Sequence, residues 1–389
     1  MYNFNKTINR LNTYCSQWDF VKDRFGKEGL LPFTISDMDI QTSPEILEAL
    51  QKRVTHGIFG YTRWNHADYK NAIISWYQKR FDCSIKEEWI AYSPNVMYGI
   101  VRILSLHNPH KDPICLITPC YDGFIKILSA NKYPIKPIHQ SLINEKYHLD
   151  WNDLEKSLSQ SKIFLLCNPN NPNGYLWSRE DLTKIIELCK KYQVMIISDD
   201  IHMDFVYKPA QFIPIIKIAQ EMDYLDNVVI ITSSAKTFNL SSIGGAYIIC
   251  PNTTKLSEYI YILGNGDSLG STTALYITSL ITGYNESEKW VDQLTEHCQQ
   301  NIIFLKEYLQ QQLPTLKVIV PQGTYFAWID CSNLGISMTE IQKKLINIGK
   351  VAIMDGDRYQ EPTPFLRMVI ACPRSKVEEG LKRLVESLK

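Results

Sequence analysis

The chain has 389 residues, with 41 Lys+Arg against 41 Asp+Glu, a formal net charge of +0, 45% hydrophobic and 21% charged residues. This balance suits a globular protein of two or three lobes and argues against a reader of phosphate backbones, which rests on a basic excess. The N-terminal MYNFNKTINRL has no apolar h-region, and the charge-free stretch Thr237 to Thr254 is broken by Asn, Ser, Gly and Pro, so neither a leader nor a membrane span is expected. None of the ten cysteines belongs to a CxxC pair, and Cys115, Cys167 and Cys250 lie inside apolar runs, where a thiol behaves as a small hydrophobe. A reducing, cytoplasmic location and no structural metal are expected.

In chain order, Ser43-Pro44 opens a helix over EILEALQKRV, with Pro at the first helical position. The run 114-ICLIT-118 reads as a strand, and Asp150 starts the helix WNDLEKSL. A second strand follows at 163-IFLLC-167, and Ser178 with Asp181 forms the cap and acidic first turn of LTKIIELCKKY. The runs 194-VMIIS-198 and 228-VVIIT-232 complete a set of four without polar alternation, as strands buried on both faces of a parallel sheet require. Such alternation predicts an α/β sandwich with right-handed crossovers. Beyond about residue 285 the texture changes to a long helix over 288–313, a strand-like VIVP, the aromatic run 324-TYFAWID-330, a helix near 338–349, VAIM, FLRMVIA and a last helix from Ser375. This tail reads as a smaller α+β domain packed on the first.

Ligands of open parallel sheets bind beyond the carboxyl ends of the strands. The four apolar runs end in 118-TPCYDGF-124, 167-CNPNNPNG-174, 198-SDDIHMD-204 and 232-TSSAKTFN-239, which would bring a Lys, two adjacent acids, a His, a Tyr and an Asn-Pro turn to one rim. A lysine, an acid, an aromatic plate and hydroxyls are the parts that a pyridoxal 5'-phosphate site needs.

Seven ordered blocks, 36-SDMDI-40, 56-HGIFGYTRW-64, 118-TPCYDGF-124, 168-NPNNPNG-174, 198-SDDIHMD-204, 233-SSAKTFN-239 and 367-RMVIACPRS-375, make the chain resemble the fold type I pyridoxal-phosphate enzymes of the class I/II aminotransferase group. The resemblance is nearest to their carbon-sulfur β-lyase branch, of the cystathionine β-lyase and cysteine desulfhydrase type. It implies a large cofactor domain over 46–284, with a mainly parallel central sheet between helices. The smaller α+β domain would be built from 1–45 and 285–389. It also implies a homodimer with composite active sites.

Residue by residue, the resemblance makes Lys236 the Schiff-base lysine and Asp199 the partner of the pyridine nitrogen. His202 would lie near the cofactor's phenolic oxygen, to which Asn171 would donate, and the Asn171-Pro172 bond is a candidate cis peptide that would aim this amide. Tyr121 would stack on the ring. The phosphate would be held at the helix start in 93-SPNVMYGI-100 by the backbone N–H groups of Val96 and Met97, with the Ser233 hydroxyl, and by Tyr61 from the partner subunit. Arg367 would clamp the substrate carboxylate, with Arg374 as the alternative. Departures from the pattern are Asp200 in place of Glu, Asn173 in place of Thr, Ala235 in place of Ser, and Gly244 where many aminotransferases have Arg. The implied reaction is α,β-elimination of cystathionine or cysteine to pyruvate, ammonia and a thiol or sulfide, with Lys236 as base. An aminotransferase on the same scaffold is the alternative, followed by a catalytically silent regulator. The glycines of 264-GNGDSLG-270 have the wrong spacing for a dinucleotide loop.

Overall fold

The computed structural model describes Tyr2 through Lys389. Its strands in chain order are β1 (Leu31–Phe33), β2 (Ile90–Ser93), β3 (Ile114–Thr118), β4 (Ile135–Ile143), β5 (Lys146–Leu149), β6 (Ile163–Cys167), β7 (Met195–Asp199), β8 (Val228–Thr232), β9 (Ala246–Ile249), β10 (Lys317–Val318), β11 (Phe326–Asp330), β12 (Val351–Asp355) and β13 (Phe365–Val369). The larger sheet has the order β2-β9-β8-β7-β6-β3-β4-β5. Its centre is parallel, with β8, β7, β6, β3 and β4 all running the same way. Every residue of β3, β6, β7 and β8 is buried, which is why these segments are apolar throughout rather than alternating. Three of the four runs match their strands residue for residue. The third is displaced by one, so Asp199 ends β7 and pairs across to Cys167 instead of lying just past the strand.

Several helices of this part of the chain start where side chains satisfy their first N–H groups. Ser43 Oγ accepts from Ile46 N at 3.2 Å ahead of Pro44–His56, and Asp150 accepts from Asn152 N and Asp153 N ahead of Trp151–Leu158. Ser178 and Asp181 form a reciprocal capping box at the head of Arg179–Tyr192.

A second sheet has the order β1-β12-β13-β11-β10, so a strand from the N-terminal segment joins strands from the C-terminal part. β1 pairs in parallel with β12, Leu31 against Val351. In the tail the long helix is found at Glu288–Gln312, close to the expected 288–313, while some other elements are shorter than their sequence suggests. VIVP contributes only Val318 to a strand, and the aromatic run becomes strand at Phe326. The helix from Met338 runs to Lys344 and then widens to a π turn over Leu345–Gly349. The last helix is Arg374–Leu388, preceded by Pro373, whose fixed φ suits the position before the first turn.

All ten cysteines are free and buried. Among the described residues no helix is long and apolar enough to cross a membrane. In the larger sheet the chain goes from β3 to β4 on one side but to β6, β7 and β8 on the other, so the order reverses between β3 and β6. A crevice opens at such a reversal, outside the carboxyl ends of the strands.

Candidate active site

A cleft of about 780 Å³ lies there, and Val96, Met97, Tyr121, Asn171, Asp199, His202, Ser233, Lys236 and Arg367 all line it. Lys236 sits on the short helix Ser234–Thr237 directly after β8, and its Nζ donates to the Ser36 carbonyl at 2.6 Å and to Ser241 Oγ at 3.0 Å. Burial pushes this amine down to about 8; the charge of Arg367 adds to the shift, while Asp37 and Asp199 oppose it. The helix is pinned from behind. Thr237 Oγ1 donates at 2.7 Å to the buried Asp204, which also accepts from Trp76 Nε1 at 3.1 Å and pairs with Arg80.

Asp199 is buried at the end of β7, and desolvation raises it to about 7 against the opposing pull of the Ile201 N–H, 3.1 Å from Oδ1, and of Lys236. His202 is buried between the rings of Tyr325 and Phe326, with centroids 5.3 and 5.2 Å away, and its Nδ1 has no partner. Burial, with the charges of Lys236 and Arg367, holds this imidazole well below its usual range, so it is neutral. Asp200 is turned away from the cleft towards Ser198, and burial raises it to about 8.

Arg367, on β13, is stacked between Phe326 and Tyr359, 4.2 and 4.9 Å from the ring centroids. Its guanidinium donates to Asn171 Oδ1 at 2.9 Å and to the Thr34 carbonyl at 2.7 Å, and Nε is unpartnered. A guanidinium only donates, so Asn171 must present its oxygen there and keep its NH2 group for a ligand. This contact, rather than an isomeric peptide bond, aims the amide. The Asn171-Pro172 bond is not cis; the cis peptides are Thr118-Pro119, Asn168-Pro169 and Lys208-Pro209.

Tyr121 lies just after β3 with its ring folded over the first turn of Asp122–Ala130. A Cβ at position 123 would come within 2.3 Å of that ring, so Gly123 is what permits the pose. Val96 and Met97 open the helix Val96–His107, capped by Asn95, and offer free N–H groups to the cleft. Ser233 also lines the cleft, but its hydroxyl donates to the Gly245 carbonyl at 2.6 Å while its oxygen accepts from Ala235 N to cap the lysine helix, so its proton is committed to the Gly245 carbonyl. Ser241 and Ser242, which the motifs did not single out, supply further hydroxyls. Gly244 has φ of 77°, a conformation in which an arginine would be strained.

One expected residue is not part of this cleft. Tyr61 is fully exposed, on an apolar tip with Val54, Ile58 and Phe59. Arg374 is likewise outside it, with Nε bonded to Asn301 Oδ1 at 2.8 Å and its guanidinium over Phe304. The sequence reading also missed Arg10, Arg24 and Asp37, which line the cleft from the N-terminal segment.

The family described as Aminotransferase class I and II matches residues 28–384. The chain belongs to this family. It is 36% identical to Protein MalY of Escherichia coli (strain K12), over 100% of this chain and 99% of that protein. It is 32% identical to Cystathionine beta-lyase PatB of Bacillus subtilis (strain 168), over 99% of this chain and 100% of PatB. The PLP-bound C-S lyase from Staphylococcus hominis superposes with a TM-score of 0.92 at 26% identity, covering 100% of this chain and 98% of that one. Its central parallel sheet between helices and its second, smaller sheet are the family's fold type I arrangement.

The raised Asp199 has a consequence for stability. Its folded value of about 7 lies above the ordinary carboxylate range, so its contribution is full below pH ~4 and is lost as pH rises through about 7. Asp199→Asn is uncharged throughout and escapes that loss. In thermal unfolding of ligand-free protein, its melting temperature should gain on wild type by several degrees between pH 5 and pH 8; a constant difference across that range would show that Asp199 titrates normally.

Proposed function

We propose that this chain is a pyridoxal 5'-phosphate-dependent carbon-sulfur β-lyase that cleaves a thioether amino acid of the cystathionine type, releasing pyruvate, ammonia and a thiol. The observation that carries the reading is the convergence of a lowered lysine, a buried carboxylate and a stacked arginine in one cleft, in a chain that matches Cystathionine beta-lyase PatB end to end.

The cleft's groups fit the cofactor. The N–H groups of Val96 and Met97 and the hydroxyls of Ser241 and Ser242 suit a phosphate. The Asn171 NH2 and the unpartnered His202 Nδ1 suit an oxygen and its proton. Asp199 suits a protonated ring nitrogen, because a cation placed beside it returns the carboxyl to the ionised form. When bound, the cofactor supplies an aldehyde for amine attachment and a conjugated ring that takes up an electron pair.

The chain supplies everything else. Arg367 holds the substrate's α-carboxylate, and the Phe326 and Tyr359 rings fix its plane. Lys236, lining the same cleft as Arg367, would be the group to take the α-hydrogen. A value of about 8 leaves about a tenth of it unprotonated at pH 7, far more than an ordinary lysine, so it serves as base. Removal of that proton is followed by loss of the thiolate from Cβ, which needs little acid help because a thiol ionises near ~8.5, and the aminoacrylate left behind takes up one water after its release to give pyruvate and ammonia. Tyr121, Tyr359 and Met354 add apolar walls beside the charged centre, which strengthens the electrostatic contacts there.

The apolar tip carrying Tyr61 supports a homodimer in which this tyrosine reaches the partner's phosphate. The two sheets support the division into a large domain over 46–284 and a small one from 1–45 and 285–389.

Incubation with L-cystathionine or L-cysteine should yield pyruvate and free thiol with no keto acid added. Product that appears only with a keto acid would mean the family's aminotransferase reaction instead, and absence of turnover in both assays would leave a silent binding protein. Mixing Tyr61→Phe with Lys236→Ala protein should recover part of the lost activity through hybrid dimers; no recovery would remove the composite site.

A further inference from the structure

The charges of the cleft do not balance. Arg10, Arg24, Lys126, Lys236 and Arg367 line it, against Asp37, Asp122 and Asp199. Arg10 is paired with Asp37 at 2.7 Å and Asp39 at 2.9 Å, and Lys126 is paired with Asp122. Lys236 rests on Ser36 and Ser241. Among the described residues, two guanidinium groups of the cleft have no carboxylate partner, those of Arg367 and Arg24.

Arg24 is held near the first of these. It lies on the short helix Val21–Phe25, and its Nη1 approaches Met354 Sδ at 3.8 Å. Met354, on β12, is the direct cross-strand partner of Arg367 on β13. Tyr121, which lies over the same space, feels the charges of both arginines. The thioether and the aromatic ring beside Arg24 make an apolar passage between two cationic ends, and neither end is neutralised by the protein.

We propose that Arg24 binds a second carboxylate at the far end of the substrate, so that this cleft selects thioether amino acids with an anionic group on the leaving thiol. The proposal rests on the lyase reading for the substrate's near end, where Arg367 takes the α-carboxylate. It divides the two classes that the chemistry alone leaves open: a dicarboxylic thioether such as cystathionine engages both arginines, whereas cysteine or a simple S-alkyl cysteine engages one.

The test compares L-cystathionine with S-ethyl-L-cysteine in wild-type, Arg24→Gln and Arg24→Lys holoenzyme. Binding is read from the change in the cofactor's visible band, and turnover from pyruvate. A charge-assisted contact at an open cleft mouth is worth about tenfold. The affinity for cystathionine relative to S-ethyl-L-cysteine should therefore fall about tenfold in Arg24→Gln. Arg24→Lys should restore part of it, and the turnover change should lie in KM rather than kcat. An unchanged ratio, or an equal loss for both substrates, would overturn the proposal. So would loss of the cofactor from Arg24→Gln, which would assign this arginine to the phosphate. The two readings fail separately: absence of pyruvate in wild type counts against the lyase, while a fallen binding ratio in the same preparation still upholds Arg24.

Discussion

Four parallel strands that exclude water along their whole length end at the cleft, and the charges placed at those ends have no solvent to support them. A carboxylate at the end of β7 and an amine just past β8 are each driven towards their neutral forms. Their mutual attraction opposes the drift without cancelling it. Both groups consequently exchange protons near neutral pH, where an unperturbed Asp or Lys would not. The neutral His202, enclosed by two aromatic rings, follows from the same dryness.

Holding an amine in such a place demands rigid supports, and they come from distant parts of the chain. Behind the lysine, Asp204 ties Thr237 to Trp76 and Arg80. In front, Asn239 donates to the carbonyls of Met38 and Ile40 at 3.0 and 2.7 Å, which fixes the segment whose Ser36 carbonyl receives the lysine. That segment is fastened in turn through Asp39, which pairs with Arg10 and with Lys376 on the last helix and accepts from Trp18 Nε1. The N-terminal segment is thus a strap between the two sheets. Arg10 is spent on that strap, which leaves Arg24 as the cation that the strap brings to the cleft without a carboxylate partner.

Local features were legible in the sequence. Continuous apolar runs gave the buried strands, and Ser43, Asp150 and Ser178 marked helix starts, because a strand buried on both faces and a capped first turn each leave a short-range signature. The rim residues were legible for the same reason, since each follows a strand directly. What escaped depends on contacts between remote segments. Nothing near Asn171 reveals that Arg367, 196 positions away, orients its amide. Nothing near Ser233 reveals that its hydroxyl donates to the Gly245 carbonyl. The pairing of β1 with β12 and the approach of Arg24 to Met354 are equally non-local. Tyr61 illustrates a different limit, because the role proposed for it lies across an interface that a single chain does not contain, and here its side chain is simply exposed.

The central claim is that the lysine after β8 is the cofactor's anchor. Reduction of the cofactor-loaded protein with borohydride, followed by peptide mass mapping, tests it most directly. The account predicts a phosphopyridoxyl group on the peptide containing Lys236 and on no other lysine. A label on a different lysine, or none in a protein that retains the cofactor, would contradict it.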